Sequence, residues 1–202
     1  MKKIIILILG IILIVVSSVM VLNSRNTNAK KEDTKENKKV DNIEKFGYTL
    51  FDNKSKVYKE KFKDLKKVLN EEEIDYKEYA KVVAELFTID FYDLNSKVSN
   101  TDVGGLDFVY KSARKDFAKT AENGMYKFIE SNVYGGRKQV LPVVKEAKAT
   151  VTEAKYEGKT VQDENGYSAD VEITYDKDLG YPTKVNLTIV HSDDKLYVVV
   201  VK

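Results

Sequence analysis

The sequence contains few side chains that could carry out chemistry. Among its 202 residues there are one histidine, His191, and no cysteine. Without cysteine the chain has no disulfide, no thiolate metal site and no cysteine nucleophile. His191 could serve as a general base, because histidine titrates near neutral pH, but the sequence has no second histidine or cysteine to complete a metal site with it. We therefore expect neither a metal nor a cofactor.

A second set of candidates lies on a predicted helix that is rich in aromatic residues. Asp90 and Asp93 are three residues apart there, and an acid pair in a pocket could act as general acid and base. The simpler interpretation is that one or both aspartates cap the helix or pair with a lysine, and that His191 lies at the rim of the core. Neither set is complete, so we predict no catalytic residue and no enzymatic activity. A ligand pocket between helix and sheet stays an alternative, with four candidate residues: His191, Asp90, Tyr92 and Tyr110.

The charge balance excludes one class of partner. The chain has 34 lysine and arginine residues against 32 aspartate and glutamate residues, a formal charge of +2. Lys2 and Lys3 account for this excess, because residues 1–22 contain no acid and the rest of the chain is balanced. A nucleic-acid-binding domain needs concentrated positive charge to match the phosphates. We therefore predict that the protein binds no nucleic acid.

One local field of charge lies on the predicted helix that starts near residue 54. Its polar face is rich in lysine, and the acidic residues between 71 and 78 reverse the sign directly afterwards. This helix could contact anionic lipid headgroups or an anionic wall polymer. The simpler interpretation is a solvated face whose charges complement those of neighbouring turns. The candidate contacts are Lys56, Lys59, Lys63, Lys66 and Lys67.

The N-terminus has the pattern of a membrane anchor. Ile4 to Leu22 are nineteen residues without charge, nearly enough at about 1.5 Å per residue to cross a hydrocarbon core of roughly 30 Å. The lysines in front of this run place the N-terminus in the cytoplasm. The alternative is a cleaved signal peptide, but no suitable small-residue cleavage site directly follows the apolar run. We predict a single-pass membrane protein that contacts the cell membrane through residues 4–22.

The rest of the chain divides into a linker and one domain. Residues 1–22 form the cytoplasmic tip and anchor, and residues 23–44 are polar and charged, which predicts a flexible linker with a reach of roughly 25 Å. Residues 45–202 then form an extracytoplasmic domain. Its first predicted helix places Tyr58, Phe62, Leu65 and Leu69 on one face.

Two more helical segments follow. One runs from about Asp75, a cap-like residue, to Asn95, and its end at 87–94 has too many large apolar residues for a single stripe, so we expect it to be enclosed on several sides. A break at 99–105 separates it from apolar positions with helical spacing between Leu106 and Ile129, which predict one long helix or two in sequence.

Beyond Pro142 the apolar spacing changes from helical to alternating. Strands are predicted at about 147–156, at 167–175 and at 184–191, and a shift of apolar parity between Val151 and Ala154 indicates a bulge. Residues 196–201 are apolar on both parities, which predicts a strand that is central or covered on both faces. The fold class is therefore α+β, with about three helices packed on a curved antiparallel sheet of about four strands behind an N-terminal transmembrane helix.

Three segments carry a resemblance to known folds: the aromatic helix end Phe87–Leu94, the Asp102–Gly105 break with the helix after it, and the strand series Ala147–Val201. In this order they resemble the nuclear-transport-factor-2-like, cystatin-like class of α+β cones. With the anchor and linker added, the chain is similar to the inner-membrane scaffold proteins of type IV secretion and conjugation. The resemblance covers roughly residues 75–202, and it implies a domain that helps to assemble a transfer apparatus.

Together these features predict a membrane-anchored, non-enzymatic interaction or scaffold domain of a cell-envelope complex, with protein partners in the envelope. A homo-oligomer is left open. The alternatives are a small-ligand-binding or weakly catalytic pocket protein of the same fold, and an accessory protein associated with the wall or with lipid.

Overall fold

The computed structural model of the protein describes residues 37–202, which contain three α-helices and eight β-strands. The predicted anchor at 4–22 and most of the predicted linker lie outside these residues. Within 37–202, no helix is both long enough and apolar enough to cross a membrane. The domain is α+β, as predicted.

The folded chain begins earlier than the sequence predicts. Strand β1 (Lys39–Ile43) pairs antiparallel with β2 (Tyr48–Phe51), so the predicted linker, which ended at residue 44, is wrong over β1. Two contacts hold β1 in place: Ile43 is buried in the core, and Lys66 Nζ lies 2.7 Å from Asp41 Oδ1. The sequence signal is weak because β1 has only two apolar residues among polar ones.

Helices α1 (Lys56–Leu69) and α2 (Tyr76–Tyr92) follow the predicted pattern. The Ser55 hydroxyl accepts the Tyr58 N–H at 3.2 Å, and the Asp75 carboxylate accepts the Lys77 N–H at 3.0 Å, so both helices begin at side-chain caps. All four predicted core positions of α1 are buried, and so is every residue of α2 from Val82 to Tyr92. The expected enclosure of the α2 end is confirmed, because α2 packs against both α1 and the sheet.

The main sheet has four antiparallel strands, in the order β3, β6, β7, β8. Strand β3 is Val144–Glu153, β6 is Tyr167–Tyr175, β7 is Lys184–Ser192 and β8 is Lys195–Val201. Between β3 and β6 the chain forms a small hairpin of β4 (Tyr156–Glu157) and β5 (Gln162–Asp163).

One detail of the predicted sheet is wrong. The register irregularity of β3 lies between Val144 and Glu146, whereas Val151 to Glu153 pair regularly with β6 up to the end of the strand. Of the two alternatives predicted for strand β8, central or covered on both faces, the second is confirmed, because β8 lies at an edge of the sheet. Its residues are nevertheless buried on both faces, as predicted: Leu196 and Val198 on one, Tyr197 and Val199 on the other.

The segment between α2 and the sheet is less helical than predicted. Short 3₁₀ turns occupy Leu106–Phe108 and Lys111–Ala113, and α3 covers only Arg114–Asn123. The reason is that the backbone at 109–110 extends along the outer edge of β8, where Tyr110 N donates to Val198 O at 3.4 Å. The apolar spacing is helical, but the backbone of this stretch pairs with the edge strand β8 instead of forming a helix.

Alanine substitutions at two glycines distinguish the free-energy cost of backbone strain from that of overpacking. Gly105 and Gly136 have positive φ angles of 77° and 81°, but a Cβ on Gly105 would lie 2.8 Å from the Phe87 ring, whereas Gly136 has nothing within 4 Å. Both alanine substitutions should lose about 1 kcal/mol through strain. Gly105→Ala should lose about 1 to 3 kcal/mol more through overpacking. Urea unfolding of the full chain in mild detergent measures both, and equal losses would contradict the packing shown here.

Candidate interaction surface

The carboxylate of Asp90 is the centre of a buried ion network. Asp90 lies in the last turns of α2 and is only 8% exposed. Lys54 Nζ donates to both of its oxygens, at 2.8 and 2.7 Å, and Lys97 Nζ donates to Oδ1 at 2.9 Å. The backbone N–H of Gly105 donates to Oδ2 at 2.7 Å. Both oxygens therefore have strong donors, and the carboxylate is not available as a general base.

The network keeps Asp90 ionised. Burial alone would raise the pKa of Asp90, but the Lys97 and Lys54 cations and the Gly105 N–H hold it well below its usual range. The simpler interpretation of Asp90, a pairing with lysine, thus describes its position.

Asp93 has the opposite electrostatic environment. It follows the last residue of α2 and is 2% exposed, and its Oδ1 has no hydrogen-bond partner among residues 37–202. Burial raises the pKa of Asp93 to about 6; Lys97 opposes this effect and the Asp90 charge adds to it. The pKa values of the two aspartates are therefore shifted in opposite directions. Asp90 is firmly ionised, and Asp93 is protonated in mildly acidic solution.

The Asp90 network fixes the chain segment 97–105 against the end of α2. Lys97 and Gly105 are its two attachment points. Gly104 fits tightly between them, since a Cβ there would collide with the backbone carbonyl of Asp90. The buried Tyr126 hydroxyl completes the joint, because it donates to Phe91 O at 2.6 Å and accepts the Gly104 N–H at 3.2 Å.

Segment 97–105 in turn holds residues 124–140, which we call the surface loop. Arg137 is the main tie: Nη1 donates to Lys97 O at 2.8 Å and Nη2 to Asn95 O at 2.9 Å. Asn132 N donates to Val98 O at 2.7 Å. Within the loop, Gln139 Nε2 donates to Phe128 O at 2.8 Å. The surface loop has no helix or strand, but side chains give its backbone defined partners.

This fixed loop exposes large apolar side chains. Tyr134 is 97% exposed and Phe128 is 77% exposed. In the part of the chain that the structure describes, exposed large apolar residues are more numerous here than in any other segment: Phe128, Val133, Tyr134 and Val140. Exposed aromatic and aliphatic side chains on an ordered segment are typical of a protein-binding surface.

Four tyrosines, among them the pocket candidates Tyr92 and Tyr110, divide between core and surface. Tyr92 and Tyr126 are buried, and burial raises the pKa of Tyr92 to about 12. Tyr134 is on the surface loop. Tyr110 lines a groove across the sheet and lies edge-on to Tyr197, with ring centroids 5.6 Å apart. In the sequence, the Gly135–Gly136 turn that follows Tyr134 is the one indication that this residue is exposed.

The predicted pocket residues do not converge. His191 lies at the end of β7, where Nδ1 is 2.8 Å from Asp163 Oδ2 and the ring is 5.1 Å from that of Tyr76. Tyr76 begins α2 and Asp90 lies near its end, about 20 Å further along the axis at about 1.5 Å per residue. His191 therefore lies at the rim of the core, in the position of the simpler interpretation, and far from Asp90.

Three of the five lysine candidates on α1 have partners within the domain. Lys63 Nζ lies 3.0 Å from Glu60 Oε2 and Lys66 Nζ lies 2.7 Å from Asp41 Oδ1, whereas Lys59 Nζ donates to the Asp52 carbonyl. Lys56 and Lys67 are exposed. Complementary charges on neighbouring turns account for most of this face, and binding to an anionic surface stays a prediction.

No protein-family model matches this chain, and no curated protein or solved structure is significantly similar to it. Within residues 37–202, no group of three or more histidine, cysteine or acidic side chains is placed to hold a metal ion. Fold and site together define an α+β domain with an exposed aromatic loop tied to a buried ion network.

Two aspartates test how much the network contributes to stability. Asp90→Asn removes the carboxylate to which the buried Lys97 ammonium donates, which should cost about 3 to 5 kcal/mol. Asp41→Asn removes the exposed pair with Lys66 and should cost less than about 1 kcal/mol. Urea unfolding of the full chain at pH 7 compares them, and similar losses would show that the network is not a stabilising centre.

Asp93 should make stability fall as the pH rises from about 4 to about 6. Its folded pKa of about 6 lies above the ordinary 3.8, so below about pH 4 both states are protonated and Asp93 costs nothing. As the pH rises from about 4 to about 6, the unfolded state gains from ionisation that the folded state resists, and above about 6 both states are ionised. Asp93→Asn should therefore be more stable than the parent chain at pH 7 by on the order of 2 kcal/mol, with the gain absent at pH 4. A gain that does not depend on pH would contradict the shift.

Proposed function

We propose that the chain is a non-enzymatic interaction module of the cell envelope, carried on the outer side of the membrane by the predicted anchor at 4–22. The folded domain binds a protein partner through the surface loop. The observation that carries this proposal is the exposure of Phe128 and Tyr134 on a loop whose backbone is fixed by Arg137.

Pre-organisation is the physical argument for a binding role. A loop that must become ordered on binding loses conformational entropy, which reduces its affinity. Here Arg137, Asn132 and Gln139 already supply that order. Exposed aromatic side chains bury little apolar area within the domain, but in a partner's pocket they bury a large apolar area with few rotatable bonds.

The class of complex follows from the predicted topology. A single anchor, a flexible linker and a folded outer domain suit a component that must reach a neighbour in the envelope. The resemblance to the inner-membrane scaffold proteins of secretion and conjugation supports a transfer apparatus as that complex. In such an assembly the surface loop is the contact with another subunit.

Site-specific photo-crosslinking in the native host tests this function. A photoreactive phenylalanine analogue replaces Tyr134 in the full-length chain, and the same analogue at Leu179, an exposed apolar residue of another turn, is the control. We expect a discrete adduct with an envelope protein from position 134 only. Because a central aromatic contact contributes about 2 kcal/mol, adding Phe128→Ser should reduce that adduct to background.

Val40→Ser, which also removes an exposed apolar side chain, should leave the adduct unchanged. The proposed function is wrong if position 134 gives no adduct, if position 179 gives the same one, or if Phe128→Ser has no effect while the variant remains folded.

A further inference from the structure

A groove of about 540 Å³ crosses the face of the main sheet that points away from α2. One wall is the β4–β5 hairpin with Tyr156 and Lys159, and the other is Tyr110 in the segment before α3. The floor consists of side chains from β6, β7 and β8. This volume lies within the range of small-ligand sites.

Both walls are fixed without a ligand. The Asp163 carboxylate holds the hairpin wall, because Oδ2 accepts the His191 backbone N–H at 2.7 Å and lies 2.8 Å from His191 Nδ1. Tyr110 N donates to Val198 O and its ring lies against Tyr197. The groove is therefore a feature of the folded domain that needs no rearrangement to accept a ligand.

The floor presents uncharged hydrogen-bonding groups. Ser168, Asn186 and Thr188 point into the groove. Asn186 Nδ2 donates to Ser168 Oγ at 3.0 Å and to Asp170 Oδ1 at 2.9 Å. The Ser168 hydroxyl can still donate its own hydrogen, and the Asn186 side-chain oxygen Oδ1 can accept. Such groups match the hydroxyls of a sugar, whose C–H faces are attracted to the negative face of a tyrosine ring.

The rim of the groove carries two lysines that form no ion pair with an acid of the described residues. Its charged lining residues are three lysines, Lys155, Lys159 and Lys202, and one acid, Glu157. Lys155 Nζ lies 2.8 Å from carboxylates of both Glu157 and Glu164, so these three groups together carry one negative charge. Lys159 and Lys202 remain to attract an anionic ligand.

From this arrangement we propose that the groove binds a short segment of an acidic polysaccharide built of uronic acids. The sugar faces lie on Tyr110 and Tyr156, the hydroxyls bond to the floor, and the carboxylates lie near Lys159 and Lys202. An acidic peptide fits less well, because extended peptides bind the unpaired backbone of a sheet edge, whereas this floor presents side chains and residues 109–110 already pair with the outer edge of β8 at Val198. The groove is distinct from the surface loop, so this proposal does not depend on the proposed function.

Calorimetric titration of the full chain in mild detergent with a galacturonate hexamer tests the proposal at low salt. The neutral chitin hexamer and hexaglutamate are the comparison ligands. Replacing both rim lysines (Lys159→Gln with Lys202→Gln) should weaken galacturonate binding about tenfold, as expected for two exposed ion pairs. The matched control, Lys145→Gln with Lys177→Gln, changes the same charge on exposed residues outside the groove and should have little effect.

A floor variant distinguishes a built site from attraction to charge alone. Thr188→Val keeps the side-chain shape and should weaken galacturonate binding severalfold. Equal weakening by the rim and control lysine pairs, equal binding of hexaglutamate, no effect of Thr188→Val, or no binding at all would each overturn the proposal. A missing crosslink at Tyr134 would leave these results unchanged.

Discussion

The described domain depends on one buried carboxylate. Asp90 accepts hydrogen bonds from two lysines and from the backbone N–H of Gly105, and these three donors come from the β2–α1 connection and from both ends of segment 97–105. A buried charge in this environment is tolerated only when it is fully paired. The pairing therefore dictates where the β2–α1 connection and segment 97–105 lie, and through segment 97–105 it dictates where the surface loop lies.

This dependence connects the core with the surface. The end of α2 is surrounded by aromatic rings; Phe87 and Phe91 are stacked, with centroids 5.6 Å apart, and Tyr126 packs beside them. The Tyr126 hydroxyl and the Arg137 guanidinium then fix the surface loop against this core, because they donate to the backbone carbonyls of Phe91 and Lys97. A loop without regular secondary structure thereby has defined geometry, which is what a specific binding surface needs.

The sequence predicted the regular elements well and the connections poorly. Strands β6 and β7 and helices α1 and α2 have strict apolar periods, and their observed bounds lie close to the predicted ones. The stretch from Leu106 also has a helical period, but pairing with the edge of β8 prevents a helix at 109–110. Strand β1 has too few apolar residues to be recognised, since its place depends on pairing with β2 and on a tertiary contact with α1.

For the candidate residues too, the sequence indicated local features but not the tertiary contacts. Asp90 was singled out by its aromatic surroundings, but Lys54 and Lys97, far apart in sequence, could be assigned to it only in three dimensions. Phe128 continues a helical pattern in the sequence and is nevertheless exposed, because α3 ends at Asn123 and the chain turns outward. Periodicity predicts burial only while the helix continues.

Amide hydrogen exchange of the full chain and of its Lys97→Met variant tests most directly whether the Asp90 network holds the surface loop. In the parent chain we expect protection at Gly104, Gly105 and Asn132, whose N–H groups have defined acceptors. In the variant, residues 97–105 and 124–140 should lose protection together while β6 and β7 keep theirs. The account is contradicted if the surface loop exchanges freely in the parent chain, or if Lys97→Met leaves its exchange unchanged.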